Sequence, residues 1–329
     1  MNLFSRAINK LARSFKTLTY AAIINQNKKL KTQIEESRQA VADSRYIIQP
    51  KITIILQFFN KRHNIQKLIE NIRLANVEEI IIIDDGSVDG SFEDWMKVLD
   101  RPNDFLLRCN DIFEVRTYDR AIQMARGEFV CLLQDDDLPP PNDLWIEQAL
   151  TLFEQFPKLV VLGGRDGMDL QIPDFSVRVD PNAYYTMTED IFEWAGVHKL
   201  RLYAKPGYME PNSGIPFRFT IAVNRAPTFL RRKEFIEIGG INQNYAPFQL
   251  DDDDACIRTW LAGYQVGFYP SAFIRGFDVG GMSLFNNQRR SEQVLVNAKQ
   301  LYADHGKKIA DGSLQYLVDC ANMDLELIN

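Results

Sequence analysis

Apolar residues recur at three- and four-residue spacing through the first twenty positions, where Phe4, Ile8, Leu11, Phe15 and Leu18 would share one face of a helix. Residues 26–45 are polar and helix-favouring with few apolar anchors, which predicts a helical spacer. From residue 51 the rhythm changes to short, uninterrupted apolar runs separated by amphipathic stretches. "KITIILQFF", "EEIIIIDD", "DFLLRCN", "GEFVCLLQ" and "KLVVLGG" read as strands covered on both faces. The stretches between them, beginning with "HNIQKLIENIRLA", read as crossover helices. That alternation predicts an α/β fold, a Rossmann-like, mostly parallel open sheet flanked by helices.

Beyond a helix at about 142–156 and the strand "KLVVLGG", residues 165–215 mix aromatic and polar side chains without a period, as binding loops do. Strand patterning returns in "FRFTIAVNRAPTFLRR", a helix "KEFIEIGG" ends at a glycine pair, and "LDDDDACIRTW" opens another helix with four acids. Residues 290–329 read as two further helices. The expected organisation is an N-terminal helical extension (1–45), a first half-domain (46–157), a second (158–285) and a C-terminal helical tail (286–329).

Composition narrows the function classes. With 46% hydrophobic and 25% charged residues among 329, the chain should bury a sizeable core, and a net charge of −6 offers no overall field for nucleic acid. The four cysteines lie far apart and form no CxxC pair. With no signal peptide and no apolar run near ~18 residues, a cytoplasmic protein is expected. Arg6, Lys10, Arg13 and Lys16 on the first helix suit either an anionic membrane surface, peripherally bound, or packing against protein.

Carboxylates gather where the strands end. Asp84 and Asp85 follow the second apolar run and precede "GS", so they could accept hydrogen bonds from a base or ribose, or cap the next helix. Asp135, Asp136 and Asp137 stand between a strand and three prolines. Three adjacent anions are better accommodated around a divalent cation, Mg2+ or Mn2+, than alone. Asp251 to Asp254 sit where a helix dipole favours anions, and one that faces a pocket could act as a general base. His198 and His305 read as packing or surface residues. The absence of GxGxxG after the first strand argues against a dinucleotide dehydrogenase.

Taken together, "ILQFFNKRHNI", "IIIIDDGSVDGS", "RAIQMARGEFVCLLQDDD", "NRAPTFLRRKEFIEIGGIN" and "LDDDDACIRTWLAGYQVGFYP" resemble, in order and spacing, the motifs of family 2 glycosyltransferases of the GT-A fold, over about residues 51–285. The resemblance implies metal-assisted, inverting transfer of a sugar from a nucleotide-diphosphate donor, UDP favoured with GDP or dTDP as alternatives, to a glycan or lipid-linked acceptor. Gln57, Phe58, Phe59, Asn60, Asp84 and Asp85 would surround the nucleoside. Asp135, Asp136 and Asp137 would supply the metal ligands and hold the diphosphate. Asp252 would be the base, and Asp251 takes the place of the family's glutamate.

Asn224, Pro227 and Asp251 are secondary site candidates. The chain departs from the pattern at Gln134, where an acid is usual, and at Arg275, near the place of a metal-binding histidine; an arginine there would pair with the diphosphate instead. The processive-synthase tryptophan signature is absent, so single additions are expected. Tyr184, Tyr185, Trp194, His198 and Tyr208 would shape the acceptor site. Two alternatives remain at this point: a degenerate transferase that only binds nucleotide sugar or scaffolds a complex, and a haloacid-dehalogenase-type phosphatase built on the Asp-x-Asp.

Overall fold

The computed structural model describes residues 25–34, 36, 50–164, 170–173, 197–200, 214–225, 227–274, 277–278 and 287–328. Residues 1–24, Arg275 and the aromatic cluster Tyr184, Tyr185, Trp194 and Tyr208 lie outside them, and His198 is described only as a strand position. The chain divides into two units, Met1–Gln49 and Pro50–Asn329. In the first, residues 25–34 form a helix (α1) whose side chains are exposed throughout.

The second unit is built on an eight-stranded sheet ordered β3-β2-β1-β4-β9-β5-β10-β8. Its strands are β1 (Ile52–Phe58), β2 (Glu79–Asp84), β3 (Asp104–Arg108), β4 (Phe129–Leu133), β5 (Leu159–Gly163), β8 (Arg218–Phe219), β9 (Thr228–Arg231) and β10 (Gln265–Phe268). A separate antiparallel pair joins β6 (Leu170–Pro173) to β7 (Val197–Leu200). The uninterrupted apolar runs of β1, β2, β4 and β5 are buried along nearly their whole length, as strands with helices on both faces must be.

Those helices are α2 (Ile65–Leu74), α3 (Ser91–Val98), α4 (Phe113–Met124) and α5 (Leu144–Gln155), followed by α6 (Arg232–Glu237), α7 (Asp251–Leu261), α8 (Asn287–Ala310) and α9 (Ser313–Ile328). Each turns one apolar stripe inward: α2 buries Ile65, Leu68, Ile69 and Ile72, and α5 buries Trp145, Ile146, Ala149, Leu152 and Phe153. At roughly 1.5–3 kcal/mol per large buried side chain, such stripes hold the crossovers to the sheet. No helix among the described residues is long and apolar enough to cross a membrane.

Two features of this sheet position the chemistry. Strands β1, β2, β3 and β4 pair in parallel, and the order reverses between β1 and β4, so their following loops part and leave a crevice at the carboxyl ends. Strand β9 then enters antiparallel between β4 and β5, and β8 pairs antiparallel with β10 at the edge. The segment preceding β9 is thereby carried back to the same crevice. It fits closely: a Cβ on Gly163, the last residue of β5, would overlap the side chain of Val223, and one on Gly164 would overlap Ser271.

Gly163→Ala should therefore destabilise the fold by about 1–3 kcal/mol, measured by urea denaturation. A variant as stable as the parent would show that Val223 can move aside.

Candidate active site

The loops after β1 and β2 are laced together. Asn60 adopts a left-handed conformation (φ 51°), which asparagine tolerates better than most residues. It exchanges bonds with the next loop, its N–H donating to Ser87 Oγ (2.9 Å) and its Oδ1 accepting from Val88 N–H (2.8 Å). Asp85 accepts from Gln57 Nε2 (3.0 Å) and from the N–H groups of Ile112 and Phe113 (2.9 Å each) at the start of α4. Burial raises its pKa, with those three donors opposing.

Asp84 is fully buried, and neither carboxylate oxygen has a hydrogen-bond partner; the nearest cation is Arg108, 3.8 Å away. Two unmet buried oxygens at a strand end are what donors of a bound nucleoside would satisfy. Phe58 does not face this crevice: its ring is buried edge-on against Trp95 at 5.3 Å, and its carbonyl receives Asp85 N–H.

The three acids after β4 are not equivalent. Asp135 crosses the β1–β4 crevice, where its Oδ2 accepts from Phe59 N–H (3.0 Å) and its Oδ1 lies 2.5 Å from Lys61 Nζ, a lysine only 3% exposed. Burial pushes the Asp135 pKa up to about 6, with Lys61 pulling against it. Asp137 is buried in the turn closed onto Gln134, and Asp136 accepts Phe277 N–H through its carbonyl.

The segment after β10 is fastened to this turn. Leu138 and Ile274 form a two-bond antiparallel bridge (2.8 and 3.0 Å), and Asp278 accepts from Asn64 Nδ2 (2.7 Å) and pairs with His63 (2.8 Å). Lys61, His63, Asn64 and Asp278 were not singled out in the sequence. Each acquires its role through a partner 71 or more residues away.

Helix α7 presents its four acids to four different surroundings. Asp251 is buried in a two-point ion pair with Arg225 (2.9 and 3.1 Å). Asp252 keeps 22% of its side chain exposed, whereas Asp251, Asp253 and Asp254 are at most 1% exposed. Its Oδ1 lies 3.4 Å from Arg225 Nη2, and its Oδ2 accepts from Arg225 N–H at 3.4 Å. The same guanidinium lies 3.7 Å from Glu114 Oε1 and 4.8 Å from the ring centre of Tyr118, whose hydroxyl donates to Leu133 O (2.5 Å) at the end of β4.

Burial raises Asp252 to about 7; Arg225 opposes that rise, while Asp251 and Glu114 add to it. Among the described residues Asp253 has no partner for either oxygen, and burial pushes its carboxyl well above the usual carboxylate range, with the neighbouring acids adding to the rise. Asp254 is lowered despite burial, because His305 (2.8 Å) and Arg258 (2.7 Å) bond to it. Ligand atoms of Asp254, Asp304 and His305 lie within 4.8 Å of one another, close enough to share a divalent ion, although Arg258 already balances Asp254. Pro227 is buried with its carbonyl taken by Gly164 N–H, and Asn224 is partly buried beside Arg225.

Comparison with known proteins bears on what this arrangement is. Residues 53–203 match the family model described as Glycosyl transferase family 2. The matched stretch covers the parallel half of the sheet and the carboxylate turn after β4, and is similar in sequence to that family. A glucosyl-dolichyl phosphate glucuronosyltransferase of Haloferax volcanii is 25% identical over 195 residues, 55% of this chain and 53% of the relative; the chain spans about half the length of the curated relative it matches.

Among solved structures, the mannosyltransferase PcManGT of Pyrobaculum calidifontis, in complex with GDP-Man and Mn2+, is similar at 14% identity and a TM-score of 0.49, covering 83% of this chain and 74% of that one. S. aureus TarS 1-349 in complex with UDP-GlcNAc is similar at 14% identity and a TM-score of 0.47, covering 75% and 66%. The match to the family model spans Asp135 to Asp137, the acids on which the phosphatase reading of the Asp-x-Asp also draws.

The raised pKa of Asp252 carries a stability consequence. A carboxyl whose native pKa exceeds its unfolded value contributes stability that is present below about pH 4 and lost as pH rises through about 7. Asp252→Asn, which cannot ionise, should therefore be more stable than the parent at pH 8 by on the order of 2 kcal/mol. The two should converge at about pH 4 and below. Urea titrations at both pH values read this, and a variant no more stable at pH 8 would contradict the assigned environment.

Proposed function

We propose that the chain transfers a sugar from a nucleoside-diphosphate donor to an acceptor hydroxyl, with inversion and one residue at a time. The observation that carries the reading is Asp252: a carboxyl partly open to solvent, pushed up to about 7 by burial and held by Arg225, whose guanidinium also reaches Glu114 on the helix whose first N–H groups hold Asp85. Asp84, Asp85, Gln57 and Asn60 serve the nucleoside. Asp252 takes the proton of the acceptor hydroxyl as its oxygen attacks the anomeric carbon from the face opposite the leaving diphosphate.

An all-oxygen set on one turn, Asp135, Asp136 and Asp137, suits Mg2+ or Mn2+, with Asp135 also held by Lys61 and Phe59 N–H. When bound, such an ion supplies positive charge to the departing diphosphate. Lys61 and Asp135 meanwhile tie the loop after β1 to the turn after β4. A UDP-sugar is the favoured donor and a glycan or lipid-linked hydroxyl the acceptor, with residues 46–157 as the donor half, 158–285 as the acceptor half, and residues 1–20 lying on an anionic membrane surface.

The alternative of a binding scaffold draws on Lys61, whose ammonium already neutralises one acid of the turn. One panel separates the two. UDP-, GDP- and dTDP-sugars are screened with and without Mn2+ for hydrolysis and for binding by calorimetry. Transfer predicts metal-dependent turnover that falls at least ~100-fold in Asp252→Asn, with diphosphate affinity within about twofold. Binding indifferent to metal, without turnover, would favour the scaffold.

A further inference from the structure

The base-bearing helix is launched from an unusual stretch of backbone. Gln249 (φ 77°) and Leu250 (φ 63°) are consecutive side-chain-bearing residues in the left-handed region, immediately before Asp251 and Asp252. Such a pair persists only where neighbouring groups hold it in place. On one side it is met by α4, where Val115 N–H donates to Pro247 O (3.3 Å) and the ring of Phe113 lies 5.8 Å from that of Phe248.

On the other side stands a single polar side chain of the C-terminal tail. Asn297 of α8 has no exposed surface, and its Nδ2 donates towards three carbonyls of this one loop: Tyr245 (2.9 Å), Phe248 (2.8 Å) and Gln249 (2.9 Å). Three carbonyls can be met only by the amide nitrogen, and Gln293, one turn earlier, fixes that orientation by donating to Asn297 Oδ1 (2.9 Å). Two further contacts follow along the same helix, Asp304 accepting from Tyr245 OH (3.1 Å) and His305 pairing with Asp254 (2.8 Å).

An asparagine is a poor helix former, and a wholly buried helix position would ordinarily hold an apolar residue. Here the position is occupied by the side chain that can bind three carbonyls of the loop leading to Asp252. We propose that Asn297 is a positioning residue for the catalytic base: it holds the 245–250 loop so that α7 begins with Asp252 at the crevice, which makes the C-terminal helices part of the active site. The inference rests on the reading of Asp252 as the base.

The test compares Asn297→Ala and Gln293→Ala with the parent. It uses hydrolysis of whichever UDP-, GDP- or dTDP-sugar the parent turns over with Mn2+, the affinity for the corresponding nucleoside diphosphate with Mn2+, and amide hydrogen exchange. The expected result for Asn297→Ala is a kcat at least tenfold lower, diphosphate affinity within twofold, and faster exchange confined to about residues 246–254. A kcat within twofold of the parent, or kcat and affinity falling together by the same factor, would overturn it.

Should Asn297→Ala not fold, Gln293→Ala carries the test, with a two- to fivefold loss of kcat expected and an unchanged kcat overturning the proposal. Asp252→Asn run in parallel keeps the failures apart. Full turnover there rejects the base itself, whereas an inactive Asp252→Asn beside a fully active Asn297→Ala rejects only the positioning role.

Discussion

A carboxylate removed from water must be met by a cation, by hydrogen-bond donors or by a proton. Among the described residues, Asp84, Asp85, Asp135, Asp137 and Asp251 to Asp254 are withdrawn wholly or mostly from solvent around one end of the sheet. The answers differ from acid to acid. Lys61 meets Asp135, Arg225 meets Asp251, Arg258 and His305 meet Asp254, backbone N–H groups meet Asp85, and burial pushes the carboxyl of Asp253 well above the usual range. Asp84 is left with unmet oxygens, and Asp252 shares a guanidinium that Asp251 and Glu114 also claim. Asp84 and Asp252 are the two proposed for nucleoside binding and base catalysis, whereas Asp253, also without a hydrogen-bond partner among the described residues, is given no role.

Arg225 joins the halves of this arrangement. Its guanidinium holds the start of α7 and lies over Tyr118, and Tyr118 is bonded to the last residue of β4, beside the carboxylate turn. Glu114, the third carboxylate around it, belongs to the first turn of α4, whose N–H groups hold Asp85. A short chain of contacts thus connects Asp85, at the end of β2, to Asp252 on α7. It depends on the sheet: parallel pairing sets the ends of β1, β2 and β4 side by side, and the antiparallel insertion of β9 returns the 224–227 segment to them.

Much of this was legible in the chain. The unbroken runs of β1, β2 and β4 announced covered parallel strands, and the acids that follow them lie at the strand ends where the pattern put them. The insertion of β9 was not legible, because "TFLRR" is too short for its pattern to reveal direction or neighbours. Nor were the partners of the acids: Lys61 meets Asp135 across 74 residues, Arg225 meets Asp251 across 26, and Asn297 meets Gln249 across 48. The runs "DDD" and "DDDD" look uniform in sequence, yet helix and turn geometry send adjacent side chains in different directions, so each reaches its own surroundings. Phe58 shows the converse. It sits within a site motif, but the alternation of a strand turns its ring into the core.

The account stands most directly on the titration of Asp252, read as the pH dependence of kcat/KM in the unliganded protein. An acid limb with an apparent pKa near 7 is predicted, moving to lower pH in Glu114→Gln because one neighbouring negative charge is removed. A rate that stays flat from pH 5.5 to 8, or a limb unmoved by loss of Glu114, would contradict it.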